Sequence, residues 1–500
     1  MYFLTNYTVY KYNDQSWFFY ETTFGKFRDV APGTVDFLSG NLSYLFVKLF
    51  GAVPSINLLA ILYTLINLLC TYLLFQKLRG SKIFATIFSF LYSFSIYFVF
   101  RVISLTPHFY LIFMFPLTLY LVLKDTRPVF LGVLNFLFLC LSSYYAFFNL
   151  VLISLWYLMD KKPQDVLKFV APLAIGVALI FLPYLKRNTY LGDYNNESTM
   201  TVYRPIEDWY NFSFRPWYFV IPPGSSLFFG NLHDAFYNKI KSTGNYFTQN
   251  YSEDEMAGSY MGWHFVLGAL FVLYLLIFKK NSIAELDQEN LKKCFWVILV
   301  ILLISGPPSL NLFGFRIYTP SYLLYYIVPV FRSLPRWSSV LYLLILIINY
   351  PLVVKIYSGI QKRFSKVLFV LFFVFLNFVV FAIKIPLINI QNPPEDIVAL
   401  KNLDGHSLVF YPEADFYSLF WSQVFNKEII NPRNTTIYGQ TSKEFTSGLL
   451  AGKSLDLLAK SNTKYLIYNK NRDGNVELTL NKLYGSPKEA GNGFYVYSIH

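Results

Sequence analysis

Residues 128–159 read PVFLGVLNFLFLCLSSYYAFFNLVLISLWYLM, an apolar run without a single charge. As one helix, at 1.5 Å per residue, the run would be roughly 48 Å long, too long for a hydrocarbon core of about 30 Å. Split at Ser142, Ser143, Tyr144 and Tyr145 it becomes two short spans. The choice sets the sidedness of everything that follows. With the split, the loops 77–82, 124–127, 160–168, 279–293 and 355–366 fall on one side and together hold 16 Lys and Arg residues. An excess of basic residues on one side is the mark of cytoplasmic loops, whereas a single span would scatter them over both faces. The hairpin reading is therefore preferred.

The rest of the chain is of one kind with this stretch. Of 500 residues, 55% are hydrophobic and 20% aromatic, while 14% are charged; soluble domains carry about 25% charged residues. Mean hydropathy is +0.41. The expected class is mainly α, a polytopic transmembrane helical protein with about ten spans, near 53–76, 83–100, 105–123, 128–143, 145–159, 167–186, 260–278, 294–312, 336–355 and 367–386. The net charge of +13 follows from lysine-rich inner loops and does not call for nucleic acid. Cys70, Cys140 and Cys294 all lie in apolar runs, which supports neither a disulfide framework nor a metal cluster. No Asp, Glu, Lys or Arg stands near the middle of a span, which counts against an ion-coupled transporter or proton pump.

Three large pieces are then extracytoplasmic. Residues 1–52 form an acidic, aromatic first loop with Asp14, Glu21, Asp29 and Asp36. Within the transmembrane domain, 53–388, a large outer loop at 187–259 is rich in Trp and Tyr and contains Arg204-Pro-Ile-Glu-Asp208. Residues 320–331 are apolar but too short to span, and read as a half-helix returning to the outer face. Residues 389–500 form a small α/β domain, with β-type runs at Ser407–Tyr411, Lys464–Tyr468 and Phe494–Ile499 and a helical pattern at Ser454–Lys460. Into the outer face also falls Pro329-Val-Phe-Arg-Ser-Leu-Pro-Arg-Trp337. Its two arginines, Arg332 and Arg336, sit four apart between prolines and apolar runs. A guanidinium fork matches phosphate oxygens in pairs, and the same residues also suit a plain interface anchor at the start of a span.

Several stretches resemble a known family. Ser55-Ile-Asn-Leu-Leu with Lys77-Leu-Arg-Gly-Ser81, Phe90-Leu-Tyr-Ser-Phe-Ser-Ile-Tyr97 followed by His108, Ser142-Ser-Tyr-Tyr-Ala146, Phe219–Gly230, Pro329–Trp337 and Thr463-Lys-Tyr-Leu-Ile-Tyr468 look like the bacterial polytopic membrane glycosyltransferases of the GT-C fold, the YfhO-like group. The resemblance covers nearly the whole chain through loose patterns. It implies an enzyme of the cytoplasmic membrane, with its active face outside, that moves a sugar from a polyprenyl-phosphate donor to an acceptor glycan, lipid or protein. In that fold an acid of the first outer loop serves as base or substrate anchor, and Asp14 matches by position. A carboxylate there can take the acceptor hydroxyl's proton while the phosphate leaves. Arg332 and Arg336 would hold the phosphate, with Glu207, Asp208, His108 and Asp36 as further substrate-binding candidates. Each has a plainer reading: a solvated loop acid for Asp14 and Asp36, loop salt-bridge partners for Glu207 and Asp208, an interfacial hydrogen-bonder for His108. No organic cofactor is expected, and a divalent cation is the one addition left open. The family places a span before the acidic loop, which this sequence enters almost at once; either its N-terminus is incomplete or span 53–76 exports it. A lipid or polysaccharide flippase or transporter, or a non-catalytic cell-envelope assembly protein, is the alternative.

Overall fold

The computed structural model describes residues 37–79, 81–104, 109–189, 206–242, 258–279, 287–312, 315–327, 334–384, 405, 407–412, 428–429, 447–452, 458–459, 463–471, 473–489 and 493–499. In chain order the elements are α1 (Phe37–Phe50), α2 (Ala52–Arg79), α3 (Lys82–Ser93), α4 (Ile96–Ile103), α5 (Met114–Val122), α6 (Pro128–Leu141), α7 (Ser143–Met159), α8 (Pro163–Thr189), α9 (Ile206–Asn211), α10 (Gly230–Ser242), α11 (Trp263–Phe278), α12 (Gln288–Ser305), β1 (Ser309–Leu312), β2 (Phe315–Tyr318), α13 (Pro320–Ile327), α14 (Ser338–Gly359) and α15 (Arg363–Phe381). They are followed by β3 (Ser407–Tyr411), β4 (Glu428–Ile429), β5 (Thr463–Asn469), α16 (Glu477–Tyr484), β6 (Lys488–Glu489) and β7 (Phe494–Ser498). The chain divides into a helical unit of residues 58–177 and 203–386 and a second unit of residues 1–57, 178–202 and 387–500.

The helical unit is built around α14. Its sequence is apolar on every side, and nearly every residue from Ser338 to Pro351 is buried. A helix hydrophobic all round can only be a core helix or a span. The helices packed outside it invert the water-soluble pattern. On α15, Leu371, Phe372, Phe375 and Phe378 are exposed while Asn377 is buried, with its amide hydrogen-bonded to the Phe373 carbonyl and to His264. Apolar outside and polar inside is the arrangement of a helix facing lipid.

Four segments among the described residues are long and apolar enough to cross a membrane: Pro54–Leu78, Lys82–Ile103, Leu334–Gly359 and Arg363–Phe381. The expected count of about ten spans is therefore met only in part, and the departures have identifiable causes. The charge-free run 128–159 is indeed two helices, broken at Ser142, whose backbone is extended (φ −159°, ψ 104°). Both are shorter than a full span, as is α11. The expected span 294–312 ends early because Gly306, Pro307 and Pro308 stop α12; Ser309–Leu312 is strand, paired antiparallel with Phe315–Tyr318. Of the expected span 105–123, the residues described from Phe109 onward form α-helix over the nine residues of α5. The expected span 83–100 is present as Lys82–Ile103, with α3 yielding to α4 at Phe94 and Ser95, where the Ser95 hydroxyl accepts from the Phe98 N–H at 3.4 Å. The half-helix expected at 320–331 is present as α13.

In the second unit, a five-stranded sheet has the order β4-β3-β5-β7-β6. β3 is interior and parallel to both β4 and β5, and β7 runs antiparallel to β5 and β6. All of β3 is buried, as expected of an interior parallel strand. One face packs Val409, Leu466 and Tyr497 against Leu449 and against Leu480 of α16. The helical pattern read at Ser454–Lys460 falls largely outside the described residues.

Candidate functional site

The site grows out of an irregular piece of backbone inside the helical unit. Phe109 sits in a 3-10 turn and Tyr110 to Ile112 are irregular; all four are buried, and buried carbonyls must find donors. The Leu111 and Ile112 carbonyls accept from the Met114 and Phe115 N–H groups at 3.2 and 3.4 Å, and side chains serve three of the four. The Tyr145 hydroxyl donates to the Phe109 carbonyl at 2.9 Å, the Asn67 amide to the Tyr110 carbonyl at 3.1 Å and the Tyr92 hydroxyl to the Ile112 carbonyl at 3.1 Å. The Tyr145 and Tyr97 hydroxyls also meet, at 2.9 Å. Tyr145 can reach this backbone because the break at Ser142 starts α7 beside it.

This strap presents the Phe109 ring to two arginines. The Arg336 guanidinium carbon lies 4.2 Å from the Phe109 ring centre and 4.6 Å from that of Tyr144. Arg101, in the last turn of α4, lies 5.4 Å from the Phe109 centre and 4.9 Å from that of Tyr97. Arg336 belongs to a 3-10 turn, Leu334–Trp337. That turn is fixed on three sides. The Leu334 N–H donates to the Phe212 carbonyl at 2.9 Å, Ser339 Oγ donates to the Arg336 carbonyl at 2.9 Å, and Trp337 stacks on Phe148 with centroids 4.0 Å apart. Both guanidiniums are half-buried. By these distances the two guanidinium carbons lie less than ~10 Å apart. The rings flank both guanidiniums, groups whose forked donors match phosphate or carboxylate oxygens.

The surrounding loop is a scaffold of aromatic and arginine contacts. Buried Arg215 donates from Nη1 to the Ser213 carbonyl at 3.1 Å and the Tyr218 hydroxyl at 3.0 Å, and from Nη2 to the Tyr210 carbonyl at 3.1 Å. It staples the loop rather than offering its charge outward. Arg316 on β2 ties Ser309 Oγ at 3.0 Å to the Tyr210 hydroxyl at 3.0 Å.

Of the residues singled out in the sequence, Arg336 stands at the centre of this cluster. Glu207 is an exposed acid on α9, a helix anchored by buried Trp209 against Tyr325; Asp208 follows it in the same helix. Asp14, Asp36, His108 and Arg332 lie outside the described residues. Arg101 was not among the expected site residues, because it falls between the spans read at 83–100 and 105–123 and reads as a span boundary. The sidedness count already put it on the same face as Arg336, and that was the available signal. Among the described residues, no three His, Cys, Asp or Glu side chains gather where a metal could be held.

Fold and site together define a helical protein with segments long and apolar enough to cross a membrane and two half-buried arginines that meet on one aromatic ring. No protein-family model matches the chain, and no curated protein matches it. Among solved structures it is similar to the archaeal oligosaccharyltransferase AglB from Archaeoglobus fulgidus, a structure in complex with an inhibitory peptide and a dolichol-phosphate. The similarity runs over 100% of this chain and 70% of that one, at 10% identity and a TM-score of 0.36.

Proposed function

We propose that the chain is an integral membrane glycosyltransferase that moves a sugar from a polyprenyl-phosphate donor to an extracytoplasmic acceptor, with Arg101 and Arg336 holding the donor phosphate. The observation that carries the reading is the meeting of two half-buried arginines on Phe109. A lipid phosphate keeps its tail in hydrocarbon and presents its charge at the depth where an apolar helix meets its polar end, which is where these arginines stand. During transfer the bond between the sugar's anomeric carbon and the phosphate oxygen breaks, negative charge collects on the departing phosphate, and fixed cations stabilise it. The acceptor hydroxyl gives up its proton to a base as it attacks, and Asp14 is the proposed base on the strength of the sequence resemblance. The GT-C fold, the YfhO-like group, the outward orientation of residues 1–52 and 389–500, and the role of Arg332 in the same phosphate site rest on that resemblance and on the charge count.

The test is reconstitution of the purified protein in nanodiscs with polyprenyl-phosphate hexoses and a membrane extract as acceptor source. Release of polyprenyl phosphate that depends on the protein, and that is lost in Arg101→Ala and Arg336→Ala, is the expected result. No release with any hexose, together with no binding of bare polyprenyl phosphate, would remove both the activity and the site.

A further inference from the structure

Where α12 stops, the chain turns its apolar side chains outward. On β2, Phe315, Arg316, Ile317 and Tyr318 are all exposed, whereas a strand that covers a core alternates. Phe315 is 74% exposed, and on α13 Leu323 and Ile327 are 66% and 74% exposed. The last two are four residues apart and so share one face of a helix that packs against α12. The whole segment 309–327, SLNLFGFRIYTPSYLLYYI, has no Asp, Glu or Lys and a single charge, Arg316. An exposed apolar patch of this kind marks an interaction surface. Two hydrogen bonds fix its level. The Phe214 N–H donates to the Ser305 carbonyl at 2.7 Å, at the end of α12, and the Leu334 N–H donates to the Phe212 carbonyl at 2.9 Å. The end of α12 therefore stands beside Leu334, where the membrane-crossing segment Leu334–Gly359 begins.

We propose that β1, β2 and α13 form a lipid-binding element that lies in the bilayer boundary, with Phe315, Ile317, Leu323 and Ile327 dipped among the acyl chains nearest the headgroups. The inference is independent of the donor reading. Lipid is the occupant because the patch takes up where a lipid-facing stripe ends. On α12, Trp296, Leu299 and Leu303 are exposed while Cys294 and Ser305 are buried, the same inversion that α15 shows. The backbone sets the depth. β1 and β2 pair with each other and with no other described strand, so their outer edges need water or headgroups and do not suit the hydrocarbon core. Open water suits the apolar side chains no better. The boundary satisfies both, and tyrosine, here Tyr318, Tyr322, Tyr325 and Tyr326, is enriched at that level. With no carboxylate in the segment, nothing in it repels lipid phosphates. The element is also moored to the arginine site. Arg316 donates to the Tyr210 hydroxyl at 3.0 Å, and Phe212, two residues on, holds the turn that carries Arg336.

The test places a nitroxide on single cysteines, Phe315→Cys, Leu323→Cys and Ile327→Cys, in the full chain with Cys70, Cys140 and Cys294 replaced by Ala. The protein is held in nanodiscs of phosphatidylcholine and phosphatidylglycerol, and access of oxygen and of a water-soluble nickel chelate is read by power saturation. Phe372→Cys, on the exposed face of α15, is the lipid reference, and the free label in buffer is the water reference. The expected result is loss of nickel access relative to buffer together with lower oxygen access than at Phe372, the signature of the boundary. A label that nickel reaches as freely as in buffer places the segment in water. A label that neither reagent reaches shows a protein cover, either a second copy or another part of this chain. One as deep as Phe372 lies in the hydrocarbon core. The expected result at fewer than two of the three positions would overturn the proposal. The unsubstituted protein gives a second measurement, with a phospholipid that carries a photoactivatable diazirine next to its headgroup. Adducts within residues 309–327 are expected, and adducts on other apolar helices with none in this segment would equally overturn it.

Discussion

Arg336 lies over the rings of Phe109 and Tyr144, and a lysine in its place would keep the charge but lose both the planar stack and the paired donors. The same holds for Arg101 over Tyr97 and Phe109. An interface anchor needs only a cation, so lysine substitution separates the two roles. Arg336→Lys and Arg101→Lys are each expected to weaken binding of the lipid-phosphate donor by about 1–3 kcal/mol, the scale of a hydrogen bond to a charged group. Acceptor KM should hardly move. Equal donor affinity in wild type, both lysine variants and both alanine variants would show that the arginines serve only as anchors. For the proposed base, Asp14→Asn keeps size and removes the proton-accepting charge. Transfer should fall roughly a hundredfold or more with normal membrane insertion, and transfer that survives there but fails in Glu21→Gln or Asp36→Asn assigns the role to that acid instead. Arg336 could be read from the sequence because two prolines and apolar runs set it off. Arg101 could not, because what joins it to Arg336 is the Phe109 ring they share, and no local pattern reports that residues 101, 109 and 336 meet.

The helices tell a similar story about what hydropathy sees. It finds apolar length, and so it located α2, α14 and α15 closely and placed the break at Ser142 through the charge of the flanking loops. It is blind to an apolar segment whose backbone is held in part by side chains from elsewhere. Phe109 to Ile112 is such a segment: Asn67, Tyr92 and Tyr145, which donate to three of its carbonyls, are distant in sequence. The strands at 407–411, 463–469 and 494–498 were legible because their β-branched and aromatic residues come in short isolated runs. Close packing between helices is equally silent in a sequence. On α11, a methyl group at Gly268 would collide with the Asn349 side-chain oxygen of α14. That amide cannot step aside freely, since its nitrogen donates to the Phe265 carbonyl at 2.9 Å and the Ile345 carbonyl at 2.8 Å. Gly268→Ala should therefore destabilise the helical unit by about 1–3 kcal/mol, the usual cost of overpacking, seen as a lower thermal unfolding midpoint in detergent. Adding Asn349→Ala should make the pair less destabilised than the sum of the single changes, because the methyl then has room. Strict additivity would mean that the two residues do not share this contact.

The helical unit has two chemically different ends, and α14, at about 33 Å for its 22 residues, connects them. At one end Lys293 pairs with Asp160 and, at 3.1 Å, with Glu289. This ion pair joins loop 160–168 to loop 279–293, two of the five basic loops, so at least these two lie together as the charge count required. At the other end the loop around residues 212–227 hydrogen-bonds to Met261, Ser305, Leu334, Ala382 and Lys384, all of them on the face assigned to the outside. That end carries Arg101, Arg215, Arg316 and Arg336, whereas the basic loops are mostly lysine. Lysine suffices to fix orientation by charge alone, while arginine is the residue that binds phosphate with geometry. The two ends fix a relative arrangement, and which of them faces the cytoplasm is a separate question with a direct measurement. Single cysteines at Ser225, Ser282 and Ser486, introduced after removal of Cys70, Cys140 and Cys294, can be probed in intact cells with a membrane-impermeant thiol reagent. Ser225, beside the arginine end, and Ser486, in the sheet-bearing unit, should label without permeabilisation. Ser282, in a lysine-rich loop, should label only after it. If Ser282 alone labels in intact cells, the arginine end faces the cytoplasm, and a donor presented from the outer leaflet could not reach it.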